Sequence, residues 1–348
     1  MALISAEGFD GLSAVTELEG ISTHGGSSWA PGWAIQTGRD GVGKALTLGG
    51  YDWIDIPIPA TTELWVAFAL SKIAGGDTGT WDVMQFGNAS GILASITCEL
   101  ATGSALTART GGHGGASLGN TVSTYSTTAF KAVGAKILFH ASAGTVQLRC
   151  GGAAALELDL TGVNTAGVAV GAGCTFIRLS SDWSSWNGRG AYDDLVWGNA
   201  SGSFNVACPP DLRVGWTPPT ADTVDADFTP QGAGDNYVEV DEVPADGDTT
   251  YNESTTAGHT DRFGHSYAAA NVSIIGVVVS AIVKAGGNMR LVLTGSAGTE
   301  EDNGADLTTD VTSYRIKSGT WETNPDTGAL WVESALEDAD MTFGYKVA

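Results

Sequence analysis

The sequence predicts an all-β protein: an N-terminal jelly-roll sandwich joined by an extended connector to a smaller C-terminal β-rich module. Three observations predict it. Glycine makes up 49 of 348 residues, about twice the usual share. Charged residues are only 16% of the chain, against about 25% in an average domain. Short apolar or alternating runs recur between turn signals, which is the pattern of strands rather than of helices.

Residues 1–200 read as the sandwich. Leu64-Trp-Val-Ala-Phe-Ala-Leu70 is an apolar run of strand length, and Trp81-Asp-Val-Met-Gln-Phe86 alternates imperfectly. Ile137 to Cys150 reads as a hairpin turning near Ser142-Ala-Gly144, with Val146, Leu148 and Cys150 on one face. Leu156-Glu-Leu-Asp-Leu160 alternates cleanly, so one face is buried and the other wet. Thr175–Ser180 and Tyr192–Trp197 follow as further strands. Gly75-Gly-Asp77, Gly111-Gly-His-Gly-Gly115 and Gly151-Gly152 supply turns between them.

Residues 201–251 change character. Prolines 209, 210, 218, 219, 230 and 244 cluster among dense acids. Proline removes a ladder donor and pre-sets extended backbone, so this stretch reads as a semi-rigid connector. Trp216, Phe228 and Tyr237 are its large apolar groups and are expected to make assembly contacts. Residues 252–348 read as the second module. Val272–Val283 is apolar enough for a strand buried on both faces, and Met289–Leu293 is a strand leading into an acidic loop, Glu300–Asp306. Thr312–Ile316 and Thr342–Val347 are further strands, while Leu330–Asp338 has partly helical spacing.

Composition narrows function. The net charge of −23 repels phosphate backbones and anionic membrane surfaces, so neither nucleic acid nor membrane is expected as a partner. The opening Met-Ala-Leu-Ile-Ser-Ala-Glu-Gly lacks a basic region and a long apolar core, so it is not expected to act as a signal peptide. There is no run of 18 apolar residues, and no membrane insertion is expected. Cys98, Cys150, Cys174 and Cys208 form no close pair, which argues against zinc and for buried thiols, with one disulfide left open.

Catalytic patterns come up short. Glu239 and Asp241 have the i, i+2 spacing of paired glycosidase acids, but Val243 and Pro244 stand where a further acid is needed. His24, His113, His140, His259 and His265 form no metal-binding pair, and no serine sits in a nucleophile elbow. No catalytic residue, resident metal or cofactor is expected. Acids at Asp193-Asp194, Asp246-Gly-Asp248 and Glu300–Asn303 leave a structural calcium open. Aromatics offer a binding hypothesis: Trp183 and Trp186 stand beside Asp182 and Asn187, the mixture of flat apolar faces and planar polar groups that holds sugars.

Two resemblances rest on these residues. The hairpin at 137–150, the Phe176-Ile-Arg-Leu179 strand and Tyr192-Asp-Asp-Leu-Val-Trp197 come in the order of the concanavalin A-like, laminin-G-type jelly roll. Pro210-Asp-Leu-Arg-Val214, Asp227-Phe-Thr-Pro230, Val240–Tyr251, Asp261-Arg-Phe263, Gly328–Glu333 and Phe343–Val347 follow. Together they resemble a family of tailed-bacteriophage virion structural proteins, over roughly residues 190–348. The resemblance implies a particle component made in the bacterial host cytoplasm, not an enzyme. On that reading it is expected to assemble with other virion proteins as a homo-oligomer, a trimer first, with attachment to a host surface glycan left open. The alternatives are a lectin-like carbohydrate-binding receptor module and a polysaccharide-degrading enzyme.

Overall fold

The computed structural model describes residues 3–7, 9, 23–25, 34–39, 43–49, 53–73, 80–99, 104–125, 129–152, 154–167, 173–180, 189–201, 208–232, 234–242, 246, 248–267, 272–284, 287–304, 306–308, 314–337 and 340–348. It is built almost entirely of antiparallel sheets, as the composition predicts.

Two large sheets face each other in the N-terminal part. One has eight strands in the order Leu158–Val163, Gly144–Cys150, Lys131–Leu138, Glu63–Ile73, Arg189–Asn199, Lys44–Gly49 and Ala34–Thr37, with Leu3–Glu7 also pairing to Arg189–Asn199. The other has seven, in the order Ser117–Tyr125, Ser104–Thr110, Gly91–Glu99, Thr80–Asn88, Cys174–Ser180, Trp53–Thr61 and Thr23–Gly25. Strand alternation builds the core between them. Ile54, Ile56 and Ile58 point inward while Trp53, Asp55 and Pro57 point out. Val146, Leu148 and Cys150 share the buried face of their hairpin, as read from the sequence. Leu46, Leu48, Phe68, Phe86, Ile177 and Leu179 join them in one continuous apolar cluster. At its centre the Tyr192 hydroxyl lies 2.6 Å from the Val83 carbonyl and 2.9 Å from that of Ser180, joining the two sheets.

Cys98, Cys150, Cys174 and Cys208 are buried free thiols. Burial pushes Cys150, Cys174 and Cys208 up to about 12, so they are unreactive at neutral pH.

The outer face of the eight-stranded sheet is covered by the chain itself. Residues 208–214 run extended across it. Arg149 Nε donates to the Cys208 carbonyl at 3.0 Å. The Pro209 carbonyl passes so close to Gly134 that a Cβ there would lie 2.0 Å from its oxygen. Only glycine admits that approach. Leu212, Val214 and Ile275 pack on Trp65 and Val196. Arg39 fastens the segment through a two-pronged bond to Asp211, at 2.7 and 2.6 Å, and a bond to Asp194 at 3.3 Å. Asp194, at φ 52°, sits in a bulge of Arg189–Asn199 and accepts the Val214 N–H.

Within the predicted connector, residues 208–214 are therefore docked on the sandwich rather than free. The connector's later part enters the second module, where Pro219–Ala226 is an edge strand of a six-stranded sheet in the order Pro219–Ala226, Thr260–His265, Thr342–Val347, Asn288–Thr294 and Glu300–Asp302, with Leu307–Thr308 beside Asn288–Thr294. Proline is tolerated there because it opens an edge strand.

Three local expectations are corrected. Of the run 272–283, only Val277–Val283 is a strand, paired with Arg315–Trp321 in a two-stranded ribbon, and only Val279 is buried. A two-stranded ribbon has too few neighbours to cover both faces. Glu300–Asp302 is a strand rather than a loop, because the sheet edge at Asn288–Thr294 takes it up. The helical spacing near Leu330 yields a single turn, Glu333–Leu336. Trp321, Trp331, Leu291, Leu293, Leu336 and Met341 form this module's core.

Candidate functional site

The outer face of the seven-stranded sheet carries a run of polar side chains, of which Asp82, Gln85, Ser95, Thr97 and Thr107 are buried. Residues directly paired across strands point to the same face. One transverse row therefore holds Asp55, Arg178, Gln85, Ser95, Arg109 and Ser117, each opposite the next. A neighbouring row holds Asp82, Thr97 and Thr107.

Asp82 and Gln85 are three apart, so in a regular strand they would point to opposite faces. A register shift between Asp82 and Met84 inserts an extra residue and brings both outward, while Val83 and Met84 enter the core. Gln85 Nε2 then donates to Asp82 Oδ2 at 2.6 Å. The glycine-rich turn at 111–115, read from the sequence as a turn, folds over this spot. The His113 N–H donates to Asp82 Oδ2 at 3.3 Å, and its Nδ1 lies 3.1 Å from the same oxygen. Burial pushes the Asp82 carboxyl up, against the pull of His113 and Gln85. Its Oδ1 is buried without a partner, as is the Ser95 hydroxyl.

At the other end of the row, Arg178 makes a two-pronged ion pair with Asp55, at 2.6 and 2.8 Å. Its guanidinium lies 4.0 Å from the Trp53 ring centroid and 5.3 Å from that of Phe176. The result is a platform of planar groups, two aromatic and one cationic, with the charge neutralised by Asp55. Trp53 and Phe176 are each half-buried, so their rings are pre-set by packing yet reachable.

The residues singled out from sequence fall elsewhere. Asp182, Trp183, Trp186 and Asn187 lie outside the described residues. Trp216 is 46% exposed. The Phe228 ring meets Tyr345 edge-on at 5.0 Å, and the Tyr237 N–H donates to Asp222 at 2.7 Å, so both are engaged within the C-terminal module. Of the acids considered for calcium, Asp194 faces Arg39, Asp248 faces Lys284, and Glu300 faces Arg262 and Lys346. Glu239 sits in the 3-10 turn Asn236–Glu239, not on a strand, and accepts the Gly234 N–H.

No family model and no curated protein matches the sequence. Several solved structures are similar to it in fold, at low identity. The cellulose induced protein Cip1 is 10% identical, at TM-score 0.40 over 58% of this chain and 100% of that one. The CBM2 module of the evolved Dit of Lactobacillus casei BL23 phage J-1 is 10% identical, at TM-score 0.36 over 56% of this chain and 94% of that one. Trypanosoma rangeli sialidase is 11% identical, at TM-score 0.32 over 47% of this chain, which spans 27% of the sialidase's length.

Proposed function

We propose that this protein is a structural component of a tailed-phage particle, and that it binds host-surface glycan through the outer face of its seven-stranded sheet. The observation that supports binding is the platform at Trp53, Phe176 and Arg178 with the polar row running from it. Sugar rings are held by flat apolar faces beside groups with fixed hydrogen-bonding directions. Arg178 and Asp55 have such directions because they lock each other. Among the described residues, the opposite sheet's outer face carries residues 208–214 and Ile275, whereas on this face Trp53, Phe176, Arg178 and Arg109 keep partial exposure around the buried Asp82, Gln85, Ser95, Thr97 and Thr107.

The particle assignment rests on the sequence resemblance over roughly residues 190–348. On this reading the chain acts by binding rather than by catalysis. It is made in the bacterial cytoplasm and assembles with other virion proteins as a homo-oligomer, with a trimer as the expected state. Mass spectrometry of purified particles tests the assignment, and absence of the protein overturns it. A glycan array tests the ligand. Binding to at least one glycan family that Trp53→Ala abolishes is expected, and no binding across the array refutes the lectin part.

A further inference from the structure

At the far end of the row, Arg109 differs from five of the other arginines, while Arg149 donates to the Cys208 carbonyl. The Arg109 Nε donates to Thr97 Oγ1 at 3.0 Å, and one terminal nitrogen donates to the Gly115 carbonyl at 3.1 Å. Both acceptors are neutral. Arg39, Arg178, Arg213, Arg262 and Arg290 each lie within 4.0 Å of a carboxylate. Among the described residues, Arg109 has no carboxylate at that range and its Nη2 has no partner. The chain carries 39 acids against 16 basic residues, yet this half-buried arginine has no described carboxylate within 4.0 Å.

Two polar neighbours lie beside it. Ser95, directly opposite Arg109, has an unpartnered buried hydroxyl. His113 stands over the same face with its side chain 51% exposed. Two nitrogens of Arg109 anchor it, so the guanidinium is oriented before any ligand arrives. A fixed planar fork with an open nitrogen suits the oxygens of a carboxylate or a phosphate. Nothing in a neutral sugar requires a cation to be withheld from internal pairing.

We infer that the glycan bound on this face is acidic, its carboxylate or phosphate seated against Arg109. This rests on the carbohydrate-binding reading above. The protein's overall negative charge opposes such a ligand at long range. That repulsion is screened beyond about 8 Å at physiological salt, whereas a half-buried contact is screened much less.

The test is equilibrium binding of the whole chain to matched polymers: polygalacturonate against its carboxyl-reduced form, and phosphomannan against its dephosphorylated form. At least one acidic member should bind about tenfold tighter than its neutral partner, which is one charge-assisted hydrogen bond. Which pair shows the difference tells carboxylate from phosphate. Arg109→Gln should bring that acidic polymer down to the level of its neutral partner. Equal binding of acidic and neutral partners overturns the inference while leaving the carbohydrate reading intact. No binding to any of the four polymers overturns it too, and a blank glycan array alongside brings down the carbohydrate reading with it. Should Arg109→Gln fail to fold, the wild-type comparison decides alone.

Discussion

Replacing Arg39 by alanine should loosen the segment 208–214 from the sandwich, and the size of the effect follows from what each partner loses. Asp211 is 34% exposed on its side chain, so losing its pair costs about 0.5–1 kcal/mol after screening. Asp194 is 7% exposed and keeps the Val214 N–H. Stranding a buried charge costs about 3–5 kcal/mol. Burial already pushes the Asp194 carboxyl up, against the pull of Val214, Arg213 and Arg39, so it can take a proton, which brings the cost to the lower end. The expected total is about 3 kcal/mol, or about 6–12 °C in melting temperature for a domain of this size. Differential scanning calorimetry at pH 7 measures it. An acid whose folded pKa is raised stabilises the fold as pH falls, so the deficit should shrink toward pH 4–5. Adding Asp194→Asn should restore part of the loss: asparagine tolerates the positive φ and still accepts the Val214 N–H without a charge. A drop below about 2 °C, or a double variant no better than Arg39→Ala, would refute the reasoning.

Two further outcomes are expected. A Cβ on Gly190 would lie 2.2 Å from Trp81 Cζ2, and Trp81 cannot retreat because its Nε1 donates to the Ser180 carbonyl at 2.7 Å. Gly190→Ala should therefore cost about 1–3 kcal/mol in urea unfolding, and an unchanged midpoint would show that the core yields there. Asp302 is held down to about 2, chiefly by its hydrogen bond with Arg290. A lowered acid contributes stability above its unfolded pKa near 4 and loses it as pH falls toward 2. Part of the acid-induced loss of stability in that window should disappear in Asp302→Asn, and identical pH profiles would remove the network from the account.

Much of the fold was legible because alternation survives wherever one face is buried. The hairpin ending at Cys150 shows it. The candidate site was not legible, for three physical reasons. A bulge carries no signature in composition, so the shared face of Asp82 and Gln85 cannot be read from a spacing of three. His113 looked like part of a flexible turn because its partner, Asp82, is 31 positions away in sequence. Asp55 and Arg178 are 123 positions apart and meet only through antiparallel register. An aromatic and a charged residue at the outward positions of Trp53-Ile-Asp-Ile and of Phe176-Ile-Arg-Leu were the available hint. Proline content at 209–219 does not tell a free connector from one docked on a sheet.

The most direct test of the central claim is a titration of the purified protein with host cell-wall polysaccharide, comparing wild type, Trp53→Ala and Trp216→Ala. The account predicts that Trp53→Ala weakens binding about tenfold or more, because it removes one wall of the platform, while Trp216→Ala binds as wild type does. Binding that survives Trp53→Ala and is lost in Trp216→Ala would contradict it.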